Sequence, residues 1–184
     1  MKKILSIALV IISMTSYGQK FAVTPNGLKN AENNEKSYVV IEIEGMTAKQ
    51  LFDNAVKYVN KNYKNPEEVI KGKTDGEYLK FDTYVPELLF IKNGGIKQFF
   101  SAKYTTKISF KDGKVKYEII GLEMNHVENN MTLYFTGGGL DWMIYNKKGA
   151  LKRPEAKTDI ENYFNSEIDK IIESLQGKTE EDSW

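Results

Sequence analysis

Residues 100–119 read FSAKYTTKISFKDGKVKYEI, and their alternation decides the fold. Phe100, Ala102, Tyr104, Ile108 and Phe110 fall on one side of an extended chain, while Ser101, Lys103, Thr105, Lys107 and Ser109 fall on the other. A side-chain period of two marks a strand with one dry and one wet face. Asp112-Gly113 is a two-residue hairpin turn. Pairing Lys111 with Lys114 sets Phe110 opposite Val115, Ile108 opposite Tyr117 and Thr106 opposite Ile119. A slip of one residue would bury the lysines, so this register is strongly specified. Tyr104 then lies opposite Gly121, where a ring can cover a bare glycine. At Ile119-Ile120 the alternation slips, which predicts a bulge near Gly121.

Upstream, a second hairpin turns at Asp75-Gly76, pairing Thr74 with Glu77, Gly72 with Leu79 and Ile70 with Phe81. Earlier still, Val39, Ile41 and Ile43 alternate with Glu42 and Glu44 in a half-buried strand over 37–44. Gly45 breaks it. Thr47 and Gln50 have the spacing of a capping box, and a helix follows to about Tyr63, with Phe52, Ala55, Val56, Val59 and Tyr63 on one stripe. Asn65-Pro66 stops that helix. Far downstream, Thr158 and Glu161 repeat the capping-box spacing. Ile160, Phe164, Ile168, Ile171, Ile172 and Leu175 then form a second helical stripe, ended by Gly177.

The order is strand, helix, four strands, helix. The fold class is α+β, with one antiparallel sheet carrying both helices on one face and leaving the other wet. Residues 19–36 read as a leading loop, with room for a short strand at 21–23. Residues 126–157 lack a clean pattern. They hold a short strand within 131–135, a Gly137-Gly138-Gly139 corner, an apolar run Trp142-Met143-Ile144-Tyr145 and a basic loop over 146–153. The single domain spans 37–176, and 177–184 is a polar tail.

Residues 1–18 have the form of an export signal: Lys2 and Lys3, an apolar run over 4–14, and small residues Ser16 and Gly18 before Gln19. The expected location is the periplasm or the exterior. The 4–14 run is too short for a stable anchor, and no later run approaches the roughly 20 apolar residues of a spanning helix. Without the leader the chain carries 24 basic and 25 acidic side chains, and Arg153 is the only arginine. A near-neutral total without guanidinium forks argues against nucleic acid as a partner. The sequence has no cysteine, so packing rather than disulfides must hold an exported fold together.

The stretch SYVVIEIEGMTAKQLFDNAVKYVNKNY, followed by YTTKISFKDGKVKYEI, resembles an uncharacterised family of exported bacterial proteins, common in Bacteroidetes, with a TATA-binding-protein-like fold of β-α-β4-α order. The shared features are the apolar-acidic strand, Gly45, the capped aromatic helix and a hairpin ending in Lys-Asp-Gly-Lys. The resemblance runs from about Ser37 to Met124. It implies fold and export, and it supplies neither an activity nor a functional residue. Residues 86–98 are longer and more apolar than the family pattern, and the region after Met124 has no counterpart in it. The fold name invites a DNA-binding reading, but fold does not fix function, and the strand faces alternate lysine with glutamate, serine and threonine.

Catalytic signals are sparse. His126 is the lone histidine. With Glu123 and Asp141 it offers a hydrolase constellation, with Glu128 also near in sequence; the plainer reading is a surface residue at a strand end. Glu42 and Glu44 could pair as acid and base, or simply be the wet side of an edge strand. The glycine run 137–139 lacks a following helix or nucleophile, and fits a hinge. Lys147, Lys148, Lys152 and Arg153 read as a solvated loop. Asn130-Met131-Thr132 matches a glycosylation sequon of little weight. No cofactor or metal is expected, since one imidazole and no thiolate make a poor ligand set.

The aromatic content is the stronger lead, with 11 tyrosines and 9 phenylalanines. Leu88, Leu89, Phe90 and Ile91 form an apolar segment between Pro86 and Asn93-Gly94-Gly95, and Trp142, Met143 and Tyr145 form another. As surface loops they would make a patch for an envelope protein, a glycan or an apolar ligand. Alternatively both fold back over the open end of the core. The expected function is a non-catalytic exported binding module. A periplasmic carrier holding a lipid between sheet and helices, or the Glu123, His126 and Asp141 hydrolase, are the alternatives.

Overall fold

A computed structural model describes residues 19–137 and 142–177. The proposed leader, Gly138, Gly139, Asp141 and the tail 178–184 lie outside these residues. Within them the chain forms β1 (Phe21–Thr24), β2 (Gly27–Asn30), β3 (Tyr38–Glu42), α1 (Ala48–Asn62), α2 (Pro66–Val69), β4 (Ile70–Thr74), β5 (Tyr78–Asn93), β6 (Ile96–Lys111), β7 (Lys114–His126), β8 (Tyr134–Thr136), β9 (Met143–Tyr145) and α3 (Pro154–Leu175). Strands β3-β7-β6-β5-β4 make one antiparallel sheet in that spatial order. The strand–helix–four strands–helix order holds, with α2 inserted after α1 and small two-stranded pieces added on either side.

The hairpin of β6 and β7 has the expected register, including Phe110 with Val115, Ile108 with Tyr117 and Thr106 with Ile119. The shift falls between Lys103 and Thr105 on β6, opposite Gly121, whose φ is +64°. A glycine there relieves the clash that a Cβ would meet in the left-handed region. The β4–β5 hairpin is closed by three residues rather than two: Thr74 pairs with Tyr78, not Glu77, and Gly72 with Lys80. An extra residue at Lys71 then restores Ile70 opposite Phe81.

Helix α1 begins with the capping box at Thr47 and Gln50, both reciprocal bonds being formed. Its buried residues Leu51, Phe52, Ala55 and Val59 face the sheet, and the Phe52 and Phe110 rings meet edge-on at 5.7 Å. Helix α3 starts one turn earlier than its sequence signature implies. Pro154 occupies its first turn, and Thr158, already inside the helix, donates its hydroxyl to the Pro154 carbonyl at 3.1 Å. Proline at the start needs no hydrogen-bond donor and is preset for helical φ, so it outranks the later Thr/Glu pair. Ala156, Ile160, Phe164, Ile168, Ile171 and Leu175 are buried along α3.

The N-terminal segment 19–36 is not a loop. Strands β1 and β2 pair as a hairpin, and Phe21 and Val23 enter the core. The outer edge of β1 is satisfied by α3: the Phe21 amide donates to Asn165 Oδ1 and the Val23 amide to Glu161 Oε1, both at 2.8 Å. Helix side chains thus stand in for a neighbouring strand. The Tyr145 hydroxyl donates to the Val23 carbonyl at 2.8 Å and ties β9 to the same hairpin.

Between helices and sheet lies a seam of tyrosines. Tyr104 and Tyr163 share a hydroxyl contact at 2.9 Å, and Tyr63 meets Thr83 at 2.6 Å. Loss of water around these rings raises their hydroxyl pKa values, with the Glu167 carboxylate adding to the effect. Tyr163 is pushed up to about 12.

Candidate binding face

The two apolar segments are parts of the fold, not surface loops. Leu88, Leu89, Phe90 and Ile91 continue β5, which runs unbroken in backbone terms to Asn93 and turns at Gly94-Gly95. A bulge between Val85 and Leu89 absorbs Pro86, which could not donate to the ladder. Leu89 and Ile91 are only 5% and 4% exposed. Leu88 is half-buried against the core. Trp142 and Tyr145 are buried and Met143 half-buried. The Trp142 ring packs on Phe100 at 5.2 Å. Of the seven residues expected to form a surface patch, Phe90 is the one whose register sets it on the open side of the sheet, paired with Phe99. The apolar segments closed the core because burial of their rings and branched chains outweighs leaving them in water.

His126 is also internal, 3% exposed, so the surface reading fails as well. Its Nε2 lies 2.6 Å from Gln98 Oε1, and its Nδ1 accepts the Glu128 amide at 3.2 Å. An accepting Nδ1 places the proton on Nε2. Glu123 pairs in register with Lys103 on the open face, whereas His126 pairs with Phe100 on the core face. The sheet separates the two, and they do not converge on a substrate; Asp141 lies outside the described residues. Among the described residues no group of three or more His, Cys, Asp or Glu side chains is placed to hold a metal. Glu42 is exposed on β3, an edge strand, opposite Lys114.

The face away from the helices carries a different pattern. Register places Lys80, Lys103 and Lys107 along its centre, with Lys111, Lys114 and Lys116 near the β6–β7 turn. Lys92 and Lys97 face each other at the opposite end, and Lys71 lies at the β4 bulge beside Asp82. These nine lysines share the face with four carboxylates at register positions, Glu42, Asp82, Glu118 and Glu123, and exposed Glu44 and Glu87 lie just past the end of β3 and in the β5 bulge. Two of the four are held. Glu118 sits 2.9 Å from Lys116 and 4.0 Å from Lys107, while Asp82 accepts from Thr105 at 2.6 Å and lies 3.9 Å from Lys71. A chain with 26 basic and 25 acidic side chains thus gathers an excess of lysine on one face. The balance lies elsewhere: α3 bears six carboxylates against two lysines.

Aromatic rings stand among the lysines. Lys116 Nζ is 5.1 Å from the Tyr38 ring centroid, Lys80 Nζ is 5.8 Å from Tyr78, and Lys97 Nζ is 4.2 Å from Phe90. The Phe90 and Phe99 rings meet at a tilt, 6.0 Å apart, and Tyr84 is 64% exposed. Near Tyr38 the surface dips into a groove of about 470 Å³ lined by Tyr38, Val40, Ser109, Lys111, Lys114 and Lys116. Such a surface can hold anions through ammonium groups, and ring faces can take flat or apolar groups between them.

Residues 38–125 match the family model described as a domain of unknown function (DUF4468) with TBP-like fold. Over these residues the chain is similar to that family. Two solved structures share its architecture. A DUF4468 family protein from Bacteroides ovatus is 15% identical, with a TM-score of 0.50 over 80% of this chain and 90% of that one. A TBP-like protein from Parabacteroides distasonis is 14% identical, with a TM-score of 0.52 over 76% of this chain and 90% of that one. At such identity the likeness concerns fold. No curated protein matches the chain. The matched segment contains β3, α1, α2 and β4 to β7 up to Asn125, and so the whole basic face; the β1–β2 hairpin and α3 flank it.

Sequence reasoning missed this face because it judged each strand alone, and Lys/Thr/Ser alternation is what any wet strand shows. The available signal was the sum: adding the outward positions of both hairpins gives lysine well ahead of glutamate.

Proposed function

We propose that the protein is a non-catalytic binding module of the cell envelope whose open sheet face holds an acidic polysaccharide. The observation that carries this reading is the open face itself, on which lysines outnumber carboxylates and rings are set among them. Lysine without arginine favours carboxylated or diffuse anions over the forked geometry that phosphate groups invite. Ser101, Thr105 and Ser109 add hydroxyls on the same face, and exposed rings give sugar rings a surface to lie on. The export signal read at residues 1–18 agrees with a ligand met outside the cytoplasm. The separation of Glu123 from His126 by the sheet favours binding over hydrolysis.

Retention of the purified protein on immobilised polygalacturonate, neutral dextran, duplex DNA and anionic lipid vesicles tests this. Capture by polygalacturonate that weakens with added salt, with none by dextran, is expected. No capture by polygalacturonate at low salt, or tighter capture by DNA or vesicles, would overturn it.

A further inference from the structure

The open face has aromatic–lysine stations at opposite ends, at Tyr38 and at Phe90, besides the Lys80–Tyr78 contact on β5. The first is the groove at Tyr38, with Lys116 over the ring and Ser109 and Lys114 on its walls. The second is the Phe90–Phe99 pair, with Lys97 at 4.2 Å from Phe90 and Lys92 opposite Lys97 in register. Tyr38 shares a row with Lys107 through Glu118. Eight residues of β6 separate Lys107 from Phe99, and β3 lies two strands from β6. At about 3.3 Å per residue and about 4.8 Å per strand, the stations are roughly 30 Å apart.

Between them runs Lys107 with Lys80, then Lys103 beside exposed Tyr84. Of the carboxylates that border this path, Glu118 and Asp82 are already held by lysine and threonine, and Glu123 faces Lys103 in register. An anionic chain crossing the face therefore meets cations along its length, ring–lysine pairs at its ends and the Tyr84 ring between them.

We infer that the face measures ligand length, engaging an acidic polysaccharide at both stations at once and discriminating against pieces too short to bridge them. This rests on the polysaccharide reading above. Once one station is occupied, the second binds at the high local concentration set by the tether, so bridging chains gain on the order of 100-fold over single-station ligands. Shorter chains gain nothing beyond a statistical increase.

Oligogalacturonides of graded length, titrated by calorimetry, test it. The expected result is a flat affinity for short oligomers, then a jump of on the order of 100-fold once the extended chain spans roughly 30 Å. Either Tyr38→Ser with Lys114→Glu, or Phe90→Ser with Lys97→Glu, should abolish the jump while leaving short-oligomer affinity within about twofold, since one station survives. Lys97→Glu alone, at an exposed position, should lower the jump without touching the fold. Affinity that climbs smoothly with length, or a jump that survives both double variants, would overturn the length reading and leave the polysaccharide reading standing. Failure of long polygalacturonate to bind at all would remove both.

Discussion

Gln98 Oε1 and His126 Nε2 meet at 2.6 Å on the core side of the sheet, beneath Phe100 and Trp142. The lone histidine is thereby a structural member, with its second nitrogen accepting the Glu128 amide. Gln98→Leu strands a buried N–H and should cost about 1–3 kcal/mol in urea denaturation. Any ligand binding at the open face should be unchanged by it, because the pair lies on the other side.

The seam of tyrosines sets an alkaline limit. Burial raises the hydroxyl pKa values of Tyr104, Tyr117 and Tyr163, that of Tyr163 to about 12, above the unfolded value near 10. The unfolded chain ionises first, so this contribution to stability is whole below pH about 10 and is lost as pH rises toward 12. Melting temperature should fall steeply over that window, with the tyrosinate absorbance of these three rings appearing only as the fold melts. Tyr163→Phe should flatten the fall.

The junction of β1 with α3 depends on Asn165, whose side chain bonds both the amide and the carbonyl of Phe21. Asn165→Ala leaves two backbone groups unpaired, at a cost of about 1–3 kcal/mol. Hydrogen exchange at the Phe21 amide should accelerate strongly while exchange at Ile108, in the sheet centre, tracks only the global loss.

Gly121 marks the bulge of β7 at φ +64°, with open space where a Cβ would stand. Gly121→Ala therefore meets backbone strain alone and should destabilise by about 1–2 kcal/mol. Gly121→Asn should cost less, since asparagine tolerates that region.

These residues also show what a sequence can tell. The β6–β7 hairpin was legible because its two faces differ in chemistry and Asp112-Gly113 fixes the turn, so even the bulge at Gly121 could be placed. The end of β5 was not, because Phe90 is apolar on the side opposite Leu89 and Ile91, which erases the alternation, and Pro86 suggests an interruption. The β1–β2 hairpin hid because its outer partners, Glu161 and Asn165, lie far away on α3. The start of α3 was misplaced because two start signals compete within one turn, and only Pro154 is compatible with the buried Ala156. The basic face was invisible strand by strand; it exists only once register stacks Lys80, Lys107 and Lys103 beside one another.

The most direct test of the binding account is the affinity for polygalacturonate of the wild type against Lys80→Glu, Lys97→Glu and Lys103→Glu combined, at fixed low salt. The account predicts a loss of about a hundredfold or more, with melting temperature held within a few degrees, because the three ammonium groups face water and their reversal inverts the potential of the face. Equal affinities in the two proteins would contradict it.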